Sequence, residues 1–130
     1  MEGASPDPRC LARSERLRRP ADIQELFQRG HRDERRSFVA LWRLSGGGRR
    51  VGFAVSRRVG GAVQRNRVRR RIREAYRLQQ HALLPGIDVV FIGRPVALTE
   101  PFVHLCGEMR LTLVALTQAA GQLGSEVVRQ

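Results

Sequence analysis

The chain has no lysine. All 24 of its basic residues are arginine, set against 12 acids, so the net charge of +12 rests on guanidinium alone. Arginine forks onto phosphates and stacks on flat rings, which lysine does less well. A coding bias toward arginine would give the same count, so composition alone does not choose between these causes. The shortage of acids still points to a polyanion or an anionic membrane surface as partner. Cysteine is nearly absent. Cys10 and Cys106 form neither a metal-ligand spacing nor a disulfide framework, which suits a reducing cytoplasm. Long apolar runs are missing too. The cleanest lie near 113–116 and 89–92, far short of the ~20 residues that a membrane span needs. Residues 1–20 contain no apolar signal core, and Glu2, Asp7 and Glu15 argue against an organelle transit peptide. The expectation is a cytoplasmic protein with no membrane association.

What is present is enough for one domain. The chain has 130 residues and 42% of them are hydrophobic, which suits a single compact core. The charge within it is uneven. Residues 57–77 hold nine Arg and one acid, while residues 78–130 hold three Arg and four acids. Scattered charge only solubilises, whereas clustered charge binds. The 57–77 run is therefore the strongest functional signal in the chain.

The pattern predicts an α+β sandwich of order α-β-β-(β)-α-β-α, with a small sheet of three to four strands. Residues 1–16 read as a flexible arm, 17–120 as the folded domain and 121–130 as a frayed tail. Pro20 opens a short helix that Gly30 closes, and Ile23, Leu26 and Phe27 share one face. Residues 38–44 alternate as a strand, with Phe38, Ala40 and Trp42 opposite Val39, Leu41 and Arg43. After the glycines at 46–48, residues 50–56 form a second strand, and the two read as an antiparallel hairpin. A long helix covers about 62–80. Residues 87–93 are nearly all apolar, as expected of a central strand buried on both faces. Thr99 reads as the N-cap of the last helix.

At about 100° per residue, the long helix places Val68, Ile72, Ala75 and Tyr76 on one stripe. Asn66, Arg70, Arg73 and Arg77 fall opposite. Arg67 and Glu74 adjoin them, while Arg65 and Arg69 flank the apolar stripe on one side and Arg71 on the other. Glu74 relieves Arg70 and Arg77, but the other arginines repel one another. An isolated helix gains nothing from this arrangement. A polyanion gains from it, because each neutralised phosphate releases counterions. A membrane-surface helix is the rival reading, but its narrow apolar stripe is needed for the core.

The run 51–77 carries Val-Gly-Phe-Ala-Val-Ser-Arg-Arg-Val-Gly-Gly, then the Arg65, Asn66, Arg67 core, a basic cluster and the Arg73, Glu74 pair. It resembles the signature region of the bacterial ribonuclease P protein subunit. Residues 17–30 resemble that family's first helix and residues 88–95 its last strand, so the likeness covers about 15–118. The resemblance implies a small α/β sandwich with a left-handed β-α-β crossover, the hand that the general rule disfavours. It implies a protein that binds the catalytic RNA of ribonuclease P and the 5′ leader of precursor tRNA. In that family the RNA, with magnesium at its own active site, removes the leader. No metal is expected on the protein, and no small-molecule substrate. The residues that match the RNA-binding role are Arg57, Arg58, Arg65, Asn66, Arg67, Arg69, Arg70 and Arg73. For the leader the resemblance offers Ile23, Phe27 and Trp42, although a slip of one residue exchanges Trp42 for Leu41. Single-strand recognition suits such a set, since bases stack on aromatic or apolar platforms beside cations.

No residue set suggests chemistry by the protein's own side chains. His31, His81 and His104 are widely spaced, and His104 and Cys106 do not face one another on a helix. Asp22 and Asp88 sit at element ends, where capping or solvation accounts for them. The glycines at 46–48 lack the Lys-Ser or Lys-Thr pair of a phosphate loop. Two other readings share the basic helix: a ribosomal or RNA-chaperone protein, and a DNA-binding regulator.

Overall fold

The computed structural model describes the backbone of residues 20–45 and 47–129 and the side chains of 21–45 and 47–123. The expected arm at 1–16, together with Cys10 and Gly46, lies outside the described residues. Three helices, α1 (Pro20–Arg29), α2 (Ala62–Gln79) and α3 (Phe102–Arg129), pack on four strands. The strands are β1 (His31–Glu34), β2 (Phe38–Leu44), β3 (Arg50–Val55) and β4 (Ile87–Gly93). The sheet order is β1-β2-β4-β3. β1 and β4 each run antiparallel to β2, and β3 runs parallel to β4. The α+β class is therefore as expected, with α2 as the crossover between parallel β3 and β4.

The expected hairpin of β2 and β3 is not there. Those strands are antiparallel in direction, but β4 lies between them and pairs with both. The reason is visible in β4 itself. Six of its seven residues are buried, and a strand that is apolar at all but one position gains most at the centre of a sheet, flanked on both edges. β1 is the fourth strand. Its His-Arg-Asp-Glu sequence has no apolar alternation, because it is an exposed edge strand.

Side-chain alternation divides the sheet into two faces. Phe38, Ala40, Trp42, Val51, Val89 and Phe91 form the larger core with the α2 stripe Val68, Ile72, Ala75 and Tyr76. Leu105, Met109, Leu113 and Leu116 of α3 complete it. On the other face Val39, Leu41 and Val90 pack against Leu26 and Ile23 of α1. One helix boundary differs from expectation. Thr99 closes a short 3-10 turn, Pro95–Leu98, and the Pro101 carbonyl instead receives the first amides of α3, from His104 and Leu105. The α3 backbone is helical from Phe102 to Arg129.

One glycine sets the distance between α2 and the sheet. A Cβ on Gly93 would lie 2.3 Å from Val68 Cγ1 and 3.5 Å from Ile72 Cγ1. Val68 is buried and β-branched, so it cannot turn aside cheaply. Gly93→Ala is expected to destabilise the fold by about 1–3 kcal/mol through overpacking. In urea unfolding, the double variant with Val68→Ala should lose less than the two single losses combined. A simple addition would mean that this contact does not govern the packing.

Candidate nucleic-acid interface

The two faces of the sheet carry two different cationic surfaces. The first is the outer side of α2. Arg65, Asn66, Arg67, Arg70 and Arg73 are exposed there, with Arg69 half-buried. Arg69 Nη1 donates to Asn66 Oδ1 at 2.9 Å, which holds one guanidinium along the helix. Arg77 is tied to Glu74 three residues away, its Nε donating to Oε1 at 3.0 Å. Arg71 turns inward. Its Nε donates to the Ala97 carbonyl at 2.8 Å, a second donor reaches the Glu100 carbonyl, and the guanidinium lies 5.9 Å from the Phe102 ring centre. Arg71 thus fastens α2 to the start of α3, and the arginines on either side of it are left to face outward. Gly61 supplies no side-chain cap and the first turn of α2 contains no acid. The positive end of the helix dipole therefore adds to this field.

The second surface lies on the α1 face and is built in rows along the strands. The first row is charged. Arg43, Asp88 and Arg50 are cross-strand neighbours on β2, β4 and β3. Asp88, only 1% exposed, accepts from Arg43 Nε at 3.1 Å and from Arg50 Nε and Nη2 at 3.2 and 2.9 Å. Solvation therefore does not account for Asp88; it is a buried counter-ion joining three strands. Asp22 and Glu25 of α1 lie over the same arginines, with Arg50 Nη1 3.4 Å from Asp22 and Arg43 Nη1 bonded to Glu25. Burial, the largest influence on Arg43, lowers its pKa, yet the bonds to Asp88 and Glu25 leave it raised overall. For Arg50 the bond to Asp88 is the largest influence and raises it. The second row, Leu41 and Val90, lies under α1.

The third row, Val39 and Ile92, is left partly uncovered and floors a groove of about 600 Å³. Phe27 overhangs it from α1 and is 56% exposed. Arg32, Arg36, Arg58 and Arg94 stand around it, with Ser56, Pro95 and Val96 completing the wall. The residues proposed from sequence therefore separate. Arg58 belongs to the groove rather than to α2, and Arg57 is exposed beside it in the loop leading to the helix. Ile23 is half-buried between α1 and the sheet and is not part of the groove's lining. Trp42 is a correction. It is 5% exposed in the core on the opposite face, its ring 4.5 Å from that of His31, and so does not meet Phe27. The alternation of β2 turns Leu41 toward α1 and Trp42 away from it. Sequence reading missed Arg32, Arg36 and Arg94. Arg32 was hidden because β1 is too polar to read as a strand, and Arg36 and Arg94 lie in connections.

The groove can hold an anionic, partly apolar chain. His31, His81 and His104 are exposed and dispersed. Cys106 is half-buried, and burial pushes its thiol pKa up, which weakens it as a nucleophile. Among the described residues no three His, Cys, Asp or Glu side chains gather as a metal site, and no helix is long and apolar enough to cross a membrane.

The sequence pattern of the Ribonuclease P family matches residues 11–117. The chain belongs to this family. The ribonuclease P protein component of Chloroflexus aurantiacus is 45% identical over 102 residues, covering 73% of this chain and 72% of that one. That of Gluconacetobacter diazotrophicus is 38% identical over 117 residues, covering 88% and 97%. Among solved structures, the RNase P protein of Thermotoga maritima aligns with a TM-score of 0.69 at 29% identity, covering 78% of this chain and 96% of that one. The Staphylococcus aureus RNase P protein aligns with 0.66 at 26%, covering 78% and 94%. The crossover β3–α2–β4 and the signature run that it contains therefore belong to a ribonuclease P protein fold.

The groove side depends on the charged row that seats α1. Asp88→Asn leaves two buried-side guanidinia without their shared carboxylate and is expected to cost about 3 kcal/mol in urea unfolding. Asp22→Asn, nearer solvent, should cost under about 1 kcal/mol. Equal losses at the two positions would mean that the row does not hold the strands together.

Proposed function

We propose that this chain is the protein component of ribonuclease P and binds RNA through two separate surfaces. Family membership supports a place in tRNA processing, as part of an endoribonuclease that has its own RNA. The outer side of α2 is assigned to the catalytic RNA: Arg65, Asn66, Arg67, Arg69, Arg70 and Arg73 present a row of forked donors that suits phosphates along a helix. Arg57 extends that surface from the preceding loop.

The groove on the α1 face is assigned to the 5′ leader of precursor tRNA. The observation that carries this is one exposed aromatic ring, Phe27, set among four guanidinia over an apolar floor. A base can stack on the ring and on Val39 and Ile92 while its phosphates meet Arg58 and its neighbours. Such contacts tolerate most sequences, as a site for varied leaders must.

Hydrolysis is assigned to the RNA, with magnesium ions at the RNA active site supplying the metal chemistry. This chain contributes affinity and position. Its guanidinia offset phosphate repulsion where two RNAs meet, which raises substrate affinity and lowers the magnesium requirement. The cytoplasmic setting follows from the same reading.

The test is single-turnover cleavage of precursor tRNA by a bacterial catalytic RNA at low magnesium, with and without this protein. Stimulation is expected, and it should be greater for a long leader than for a trimmed one. Equal stimulation of both would remove the leader from the groove. Tight RNA binding without stimulation would favour the ribosomal or chaperone reading. Arg67→Ala and Arg70→Ala should each weaken binding of the catalytic RNA and flatten its salt dependence by about 0.7–0.9 units for every phosphate left without its guanidinium. An unchanged slope would take those residues out of the interface.

A further inference from the structure

The cations of the groove are not equally available. Among the described residues Arg58 has no carboxylate partner. Arg32 and Arg94 share one. Glu34 accepts from Arg32 Nε through Oε2 at 2.7 Å and from Arg94 Nη2 through Oε1 at 3.0 Å. The geometry of the edge strand produces this. Arg32 and Glu34 lie opposite Leu41 and Val39 on β2, so both point to the groove face. Arg94 arrives from the end of β4, and its Nη1 is anchored separately on the Arg35 carbonyl at 2.7 Å. That second anchor keeps Arg94 in place whether or not Glu34 stays.

A carboxylate that bridges two guanidinia with two oxygens imitates the unesterified oxygens of a backbone phosphate. Its side chain is 55% exposed on an edge strand, so it has room to swing into solvent. Arg32 first and Arg94 second hold its carboxyl below the usual range, so it is ionised at neutral pH.

We propose that Glu34 is a resident stand-in for a leader phosphate: it occupies Arg32 and Arg94 in the free protein, is displaced when a strand enters, and thereby limits how tightly the groove holds that strand. This rests on the reading of the groove as the leader site. An entering phosphate replaces two exposed ion pairs, each of small worth, and then lies near the displaced anion. The hold is weaker than the number of arginines suggests, which suits a segment that leaves after cleavage.

The experiment uses reconstituted holoenzyme and measures affinity for precursor tRNA with a long and with a trimmed leader. Glu34→Gln is expected to tighten the long-leader complex by about three- to tenfold. It should also steepen the salt dependence by about 0.7 for each further phosphate that the freed arginines neutralise. The trimmed substrate should not change. Arg58→Ala, measured alongside, should loosen the long-leader complex alone. If Arg58→Ala behaves so while Glu34→Gln leaves affinity unchanged or lower, the groove reading stands and Glu34 is only a brace for the edge strand. Equal tightening of both substrates would reduce Glu34 to a general charge effect and overturn the proposal. If neither variant alters long-leader affinity, both the proposal and the groove reading fail.

Discussion

A single buried carboxylate organises the α1 side of this protein. Asp88 lies near the start of the central strand β4 with an arginine on each neighbouring strand, and those arginines reach up to the acids of α1. Buried ion pairs often add little net stability, because desolvation offsets most of their attraction. What this one supplies is register. A slip of β4 by one residue would turn Asp88 into the apolar core under α2 and leave Arg43 and Arg50 facing apolar side chains. The same row ties α1 to one end of the sheet. The helix is ten residues long and does not cover the other end, so the last apolar row stays open as the groove.

The sheet then separates two tasks. On one face α2 is pressed against β4 at Gly93, with its apolar stripe consumed by the core and its guanidinia, Arg71 apart, turned outward. On the other face the groove receives cations from edge strand, loops and strand ends. The loop after β3 connects the two surfaces, sending Arg58 into the groove before the helix begins. On the proposed reading, two RNA segments are held at once without competing for the same residues, and the protein's contribution is charge and placement.

Much of this was legible without coordinates, and the reason is local periodicity. The bounds of α1, β2 and β4 followed from spacing and from Pro and Gly punctuation, and the four core residues of α2 are the four its 3.6-residue period selects. What failed was non-local. β1 carries no apolar alternation because an edge strand needs none. The Thr99 cap gave way to a 3-10 turn that starts at Pro95. The resemblance offers Trp42 or, one residue away, Leu41, but which side of a strand faces which helix depends on where the helices dock.

The sequence by itself determined the character of this protein: an all-arginine cation, concentrated in one amphipathic helix, in a chain with too few acids to neutralise it. These are properties of neighbours along the chain, and turn geometry converts them directly into a charged face. Only the tertiary structure decided where the rest of the site lies. Inserting β4 between β2 and β3 brings together Phe27, Arg58 and Arg94, and it adds Arg94, from the connection after β4, to the local Arg32–Glu34 pair of β1. Contacts between residues so far apart are set by which strand is most costly to leave at an edge. That choice is a balance over the whole sheet, and no local stretch of residues records it.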